Sequence, residues 1–306
     1  MKRKALMSFT LVALVLGVEL WIRSQGIVNF PIYEVNESIG YIPRAGQQGF
    51  YLNRIFWQVN EKNMTAGPWK PNEKPDLLLI GDSIVWGGEE YQHQEKLGAQ
   101  LQNTLKEWNV WSVGASGWSV FNEVEYLKRR PEVVEATDLL IWELNSEDFR
   151  PKSVFLTDAN TPRSRPWSAT AYAVRKYLIP VNLKNWLRRM VSKHNLPAHE
   201  LTANDKTALD KLIEGLRLFE NKKVPILILV YPNLQEWAAR EQPSQDESIF
   251  FEKFLRQIEG IQIPSLRVVD GRAMSPWSEQ DYRDRIHPTA AGSERLARFL
   301  ASKISR

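Results

Sequence analysis

The chain has 306 residues, 43% of them hydrophobic and 25% charged, which is enough for one substantial buried core or two small ones. It contains no cysteine, which excludes disulfides, thiolate metal sites and a cysteine nucleophile. The formal net charge of +4 comes without zinc-finger spacing, an RNA-binding signature or a long basic arm, so nothing points to nucleic acid.

The first residues carry a membrane signal. Lys2-Arg3-Lys4 precedes an apolar run from Ala5 to Ile22, with one acid, Glu19, near its far end. That run is long enough to span a bilayer. Trp21 and Arg23 suit the far interface, and the basic tip then stays in the cytoplasm with the body outside. A cleaved signal peptide is the alternative, with Ser24-Gln25-Gly26 as a small-x-small site. Either reading exports the body. Residues 1–24 are thus expected to be an anchor or a signal, and residues 25–75 a juxtamembrane segment of short extended pieces ending at Pro75. Residues 76–306 are expected to form the main domain, with a basic helical insertion at about 151–202.

From Asp76 the pattern alternates between strands and helices. "DLLLIG" reads as a strand buried on both faces. Residues near 93–107 read as a helix, and "NVWSVGASG" as a second strand ending in glycines. Ser119 caps a helix that runs to Arg130, with Val120, Val124 and Leu127 on one face and Pro131 as its stop. "DLLIWEL" is the third strand. Asn204 opens a helix carrying Leu209, Leu212, Ile213, Leu216 and Phe219 at helical spacing. "VPILILVYP", a helix through "IFFEKFLRQIEG", the strand "LRVVDG" and a helix from Thr289 to about Ser302 complete the order. Such alternation implies an α/β sandwich on a mainly parallel sheet, whose ligands bind beyond the carboxyl ends of the strands.

The strand ends hold a recurring chemistry. The first ends at Gly81-Asp82-Ser83, where a serine is held on a rigid element. The second ends at Gly114-Ala115-Ser116-Gly117, where a glycine lets a substrate approach a backbone N–H closely. The third ends at Leu144-Asn145-Ser146, whose amide offers another donor. After the fifth comes Asp284-x-x-His287, a spacing that lets a carboxylate hold the imidazole in one tautomer while the ring faces a serine. His93, His194 and His199 have polar neighbours and are expected at the surface. No group of side chains has metal-ligand spacing, and no cofactor is implied.

These blocks resemble the SGNH, or GDSL-type, hydrolase family, over roughly residues 76–150 and 224–302. The resemblance implies a flavodoxin-like three-layer sandwich on a five-stranded sheet, and ester chemistry. It places the nucleophile at Ser83, the base and its orienting acid at His287 and Asp284, and the oxyanion donors at Ser83, Gly117 and Asn145. Gly40-Tyr41-Ile42-Pro43 with Gly46 is similar to a segment of membrane-anchored members, which makes an acylated glycan the implied substrate. Water as acceptor would make the chain an esterase, and a sugar hydroxyl an acyltransferase. A non-catalytic glycan-binding or assembly component is the reading from another class. Two positions depart from the family pattern. Ile84 follows Ser83 where leucine is usual, and the third block has Glu143 and Ser146 where glycine and aspartate are usual.

Two further features concern substrate binding. Between Ala159 and His199 there are eight Lys or Arg and no Asp or Glu, and "VNLKNWLRRMVSKH" puts Arg188 and Arg189 on the polar face of an amphipathic helix. That helix either packs on the domain with a solvated basic face, or meets an anionic membrane or acidic glycan. Of the 12 tryptophans, Trp142 is expected in the core, while Trp118, next to Gly117, is a candidate for stacking on sugar.

Overall fold

The computed structural model describes residues 2–158, 161–179, 205–242 and 245–304. Its first element, α1 (Lys2–Ser24), is long and apolar enough to cross a membrane over Leu6–Ser24. Two antiparallel hairpins follow. One pairs β1 (Tyr33–Asn36) with β2 (Gly40–Pro43), and the other pairs β3 (Gln47–Tyr51) with β4 (Ile55–Val59).

The main sheet is built from β5 (Asp76–Gly81), β6 (Asn109–Gly114), β7 (Leu139–Leu144), β8 (Ile226–Val230) and β9 (Leu266–Asp270). All neighbours are parallel, in the order β6-β5-β7-β8-β9. That is the 2-1-3-4-5 order of a flavodoxin-like sheet, whose switch point lies at the ends of β5 and β7. The continuous apolar runs are explained by this geometry. Successive side chains of a strand face opposite sides, and both sides are covered. Leu78 and Ile80 enter one core with Trp142 and Ile228, while Leu77 and Leu79 enter the other with Ile141 and Leu229.

Helices fill the two outer layers. On one side lie α4 (Val120–Arg129), α7 (Asp205–Arg217) and α9 (Asp246–Glu259). On the other lie α2 (Ser83–Trp86), α3 (Leu97–Thr104) and α10 (Ala290–Ile304). The short helices α5 (Pro131–Ala136) and α8 (Leu234–Ala238) lie in the connections between strands, and α6 (Ala169–Ala173) packs against α1. Ser119 caps α4 as expected, its Oγ and N–H both donating to Asn122 Oδ1 at 3.0 Å. Pro131 does more than stop that helix. It opens α5, where a missing N–H costs nothing. The helix expected over 93–107 is broken at Lys96, whose extended ψ of 151° separates a 3₁₀ turn at His93–Glu95 from α3.

The segment 25–75 is part of the packing. Tyr33, Tyr41, Ile42, Val59 and Met64 all enter the same core as Trp142. His93 is a correction to the surface expectation. Its ring is partly buried against Phe56, and burial lowers its pKa to about 4, helped by the charge of Lys96. The insertion helix with Arg188 and Arg189, together with His194, His199 and Asn204, lies outside the described residues.

Candidate active site

Ser83 is placed by the end of β5. Asp82 caps α2, accepting from the Ile84 N–H at 2.8 Å, and Ser83 is the first residue of that helix. A first-turn N–H has no partner within its own helix. The Ser83 backbone donor is therefore available beside its own hydroxyl.

Asp284 and His287 come from a tight loop between β9 and α10. A Tyr282–Pro288 bridge closes it, with the Arg283 N–H donating to His287 O at 2.8 Å. Within the loop, the Ile286 and His287 N–H groups donate to Asp284 Oδ1 at 3.0 and 2.9 Å. His287 Nδ1 lies 2.9 Å from both Asp284 oxygens, and His287 Nε2 lies 2.9 Å from Ser83 Oγ. The loop thus joins two groups three residues apart to a serine 204 residues away. Partial burial works to raise the Asp284 pKa, but the two N–H donors and the ring outweigh it and hold the carboxyl at about 2. A carboxylate so fixed keeps the Nδ1 proton on its side and leaves Nε2 to accept from Ser83.

The donor loops sit on either side. Gly117 takes a φ of +74°, which disfavours a side chain, and no acceptor among the described residues takes its N–H. Gly114 has a different reason to be glycine. A Cβ there would stand 2.6 Å from the Gly81 and Asp82 carbonyl oxygens, so β6 can approach the serine turn closely. The 115–118 loop is held from three sides. Tyr41 Oη donates to Ser116 O at 2.6 Å, Arg150 Nη2 to Trp118 O at 3.2 Å, and Ser153 Oγ to Gly117 O. Asn145 is buried, its Oδ1 accepting from the Glu147 N–H at 2.9 Å, while its Nδ2 has no hydrogen-bond partner.

Trp118 is the second correction. It is fully buried, and its Nε1 donates to Tyr41 O at 2.8 Å, so its ring has no free face for a sugar. Trp142 is buried as expected, donating to Glu123 Oε2 at 2.6 Å.

Behind the serine lies a group of acids that the sequence does not reveal as a set. Asp82, Glu123, Glu143 and Asp148 are all buried. Burial is the main cause that raises each of their pKa values, to about 8 for Glu123 and well above the usual range for Glu143 and Asp148. Mutual repulsion adds to the effect at Glu123, Glu143 and Asp148. Both Glu143 oxygens, one oxygen of Glu123 and one of Asp148 have no hydrogen-bond partner. Burial without a hydrogen-bond partner disfavours the charged form of such carboxyl groups. Among the described residues no cluster of His, Asp and Glu is arranged to hold a metal ion.

No protein-family model matches the chain, and no curated protein matches it. Several solved structures are similar. One is a member of the lipolytic protein G-D-S-L family from Veillonella parvula, at 10% identity and a TM-score of 0.45, covering 76% of this chain and 98% of that one. Another is an acetyl xylan esterase, at 12% identity and a TM-score of 0.45, covering 75% and 99%. A third is a variant of an acetyl-xylooligosaccharide esterase from Geobacillus Stearmophilus, at 18% identity and a TM-score of 0.42, covering 78% and 97%.

Proposed function

We propose that the chain is a serine esterase, exported and membrane-anchored, that cleaves acyl esters. The observation that carries this reading is the continuous relay Ser83 Oγ–His287–Asp284, with 2.9 Å at each contact. His287 Nε2 takes the Ser83 proton as Oγ attacks the ester carbonyl. The Ser83 N–H, the Gly117 N–H and Asn145 Nδ2 receive the developing oxyanion. His287 then returns the proton to the leaving alcohol, and water resolves the acyl-enzyme by the same steps in reverse. Acetyl esters on a cell-surface or secreted glycan are the substrate class that the sequence resemblance implies.

Retention of α1 is supported by contacts that a cleaved signal would not need. Glu19 accepts from Ser168 Oγ, the Ala169 N–H and the Thr170 N–H at 3.0, 2.7 and 3.0 Å, capping α6. Arg23 pairs with Glu19 at 3.0 Å and donates to Trp167 O at 2.7 Å. Removal of residues 1–24 would leave the first turn of α6 without those acceptors.

The test is covalent labelling of the full chain, in detergent micelles, by a fluorophosphonate, with the site mapped by mass spectrometry. Label on Ser83 that disappears in His287→Ala is the expected result. Folded protein that takes no label and turns over no para-nitrophenyl acetate would overturn the reading.

A further inference from the structure

A cavity of about 170 Å³ opens beside Ser83 and His287. Lys96 and Arg283 are among its lining residues, with Glu89, Glu90 and Tyr91 from the loop that follows α2. Most of these charges already have partners. Arg283 pairs with Glu90 at 2.6 Å and with Asp284 at 3.5 Å, and Glu89 lies 3.8 Å from Lys176. Lys96 differs. It is only 2% exposed, yet no hydrogen-bond acceptor and no ion-pair partner reaches its Nζ among the described residues. Its stem packs on Gly87, and its ammonium stands 4.7 Å from the centre of the buried Trp86 ring.

An ammonium out of water is costly unless a counter-charge compensates it. The Trp86 ring supplies part of that on one side. Glu89 is close enough for its charge to be felt but not close enough for a bond. His93, the other titratable neighbour, is neutral at working pH, since burial lowers its pKa to about 4. The remaining side of Lys96 faces the cavity, next to where an ester bound to Ser83 must lie.

We propose that this cavity is a subsite for a carboxylate carried by the substrate, with Lys96 as its counter-ion. The inference rests on the ester chemistry proposed above and deepens it: the preferred ester is acidic. A carboxylate beside Lys96 completes a charge-assisted bond in a desolvated pocket, where it is stronger than at a surface. The carboxylate has two chemical sources. It belongs either to the acyl group, as in a dicarboxylic half-ester, or to the alcohol, as in a uronate.

Four substrates in two pairs separate the sources: para-nitrophenyl hydrogen succinate against para-nitrophenyl acetate, and an O-acetylated oligouronide against an O-acetylated neutral oligosaccharide. The full chain is expected to prefer one carboxylate-bearing ester over its neutral counterpart. In Lys96→Met, which keeps the apolar stem over Trp86, that preference ratio falls about 10- to 100-fold, through KM more than kcat. Burial lowers the Lys96 pKa to about 8, against the opposing charge of Glu89. The preference in kcat/KM therefore fades as pH rises through about 8, as the ammonium loses its proton. A binding readout that needs no turnover accompanies this. Free succinate or galacturonate raises the melting temperature of Ser83→Ala, but not of Ser83→Ala/Lys96→Met. Equal loss on neutral and acidic esters, or no preference in the starting protein, would overturn the subsite and leave the esterase reading intact. Failure of every ester to turn over, with succinate still stabilising through Lys96, would overturn the esterase reading and leave the subsite.

Discussion

Two groups of polar side chains lie on opposite sides of the Ser83 turn, and they are satisfied in opposite ways. In front, Ser83, His287 and Asp284 are partly exposed and joined by bonds of 2.9 Å. Behind, Asp82, Glu123, Glu143 and Asp148 are buried, and three of them leave oxygens without partners. The difference shows where charge is permitted. Asp284 is kept ionised by N–H donors, so the front can stabilise an imidazolium during reaction. Burial raises the pKa of each acid behind, and repulsion adds to it at three of them, which works against negative charge building up under the Ser83 turn.

The largest expected effect falls on the front. Asp284→Asn keeps the shape but favours the wrong tautomer of His287, and kcat on para-nitrophenyl acetate should drop about 10³- to 10⁴-fold. Retention of a tenth or more of the activity would show that the ionised acid is not needed, and would erase the contrast between the two groups. Next comes the boundary between them. Asn145 touches the rear group through its N–H, which donates to Asp148 Oδ2 at 2.8 Å, while its free Nδ2 is assigned to the front. Asn145→Ala should lower kcat by about 10²- to 10³-fold with little change in KM. Loss of stability with unchanged kcat would move Asn145 wholly to the rear.

Trp118 tests the same contrast by stability. As a fully buried ring beneath the 115–118 loop, its replacement by alanine should cost about 3–5 kcal/mol, read by chemical denaturation. A folded, equally stable Trp118→Ala with weakened glycan binding would restore the sugar-stacking role that burial removes.

The five parallel strands were legible because strands buried on both faces must be apolar without interruption, as in Leu77 to Ile80 and Ile226 to Val230. Ser83, Asp284 and His287 were legible because chemistry in such sheets gathers at strand ends, and few titratable residues stand there. Other features are properties of the assembled molecule. Trp118 follows a donor glycine in sequence, but Tyr41, 77 residues away, covers it. The two hairpins over 33–59 are only four or five residues per strand, too short for alternation to stand out. Lys96 occupied what reads as a continuous helix, and only the extended backbone there turns its side chain onto Trp86. Glu143 was visible as a departure from a pattern, but that it is buried beside the serine turn follows from the β5–β7 register, in which Ile80 pairs with Trp142.

That register gives the smallest and most specific prediction. A Cβ on Gly81 would stand 2.6 Å from Glu143 Oε2, so the carboxyl fills the space directly behind the Ser83 turn. Burial is the main cause that raises the Glu143 pKa, and repulsion from the neighbouring acids Asp82 and Glu123 adds to it. For an acid whose folded pKa is raised, the unfolded chain binds fewer protons between the two values. Its contribution to stability is therefore complete below the unfolded value of about 4.3 and is lost as pH rises towards the folded one. Each proton so held gives a slope of up to about 1.4 kcal/mol per pH unit. Denaturation free energy should thus decline from pH 5 to pH 9, and Glu143→Gln, neutral at every pH, should decline less and overtake the parent at the alkaline end. Gln also keeps a donor and an acceptor of nearly the same shape, so a difference in slope reports the proton and not a cavity. Parallel curves would mean that Glu143 is ionised in the folded protein, and a charge would then sit behind Ser83 after all.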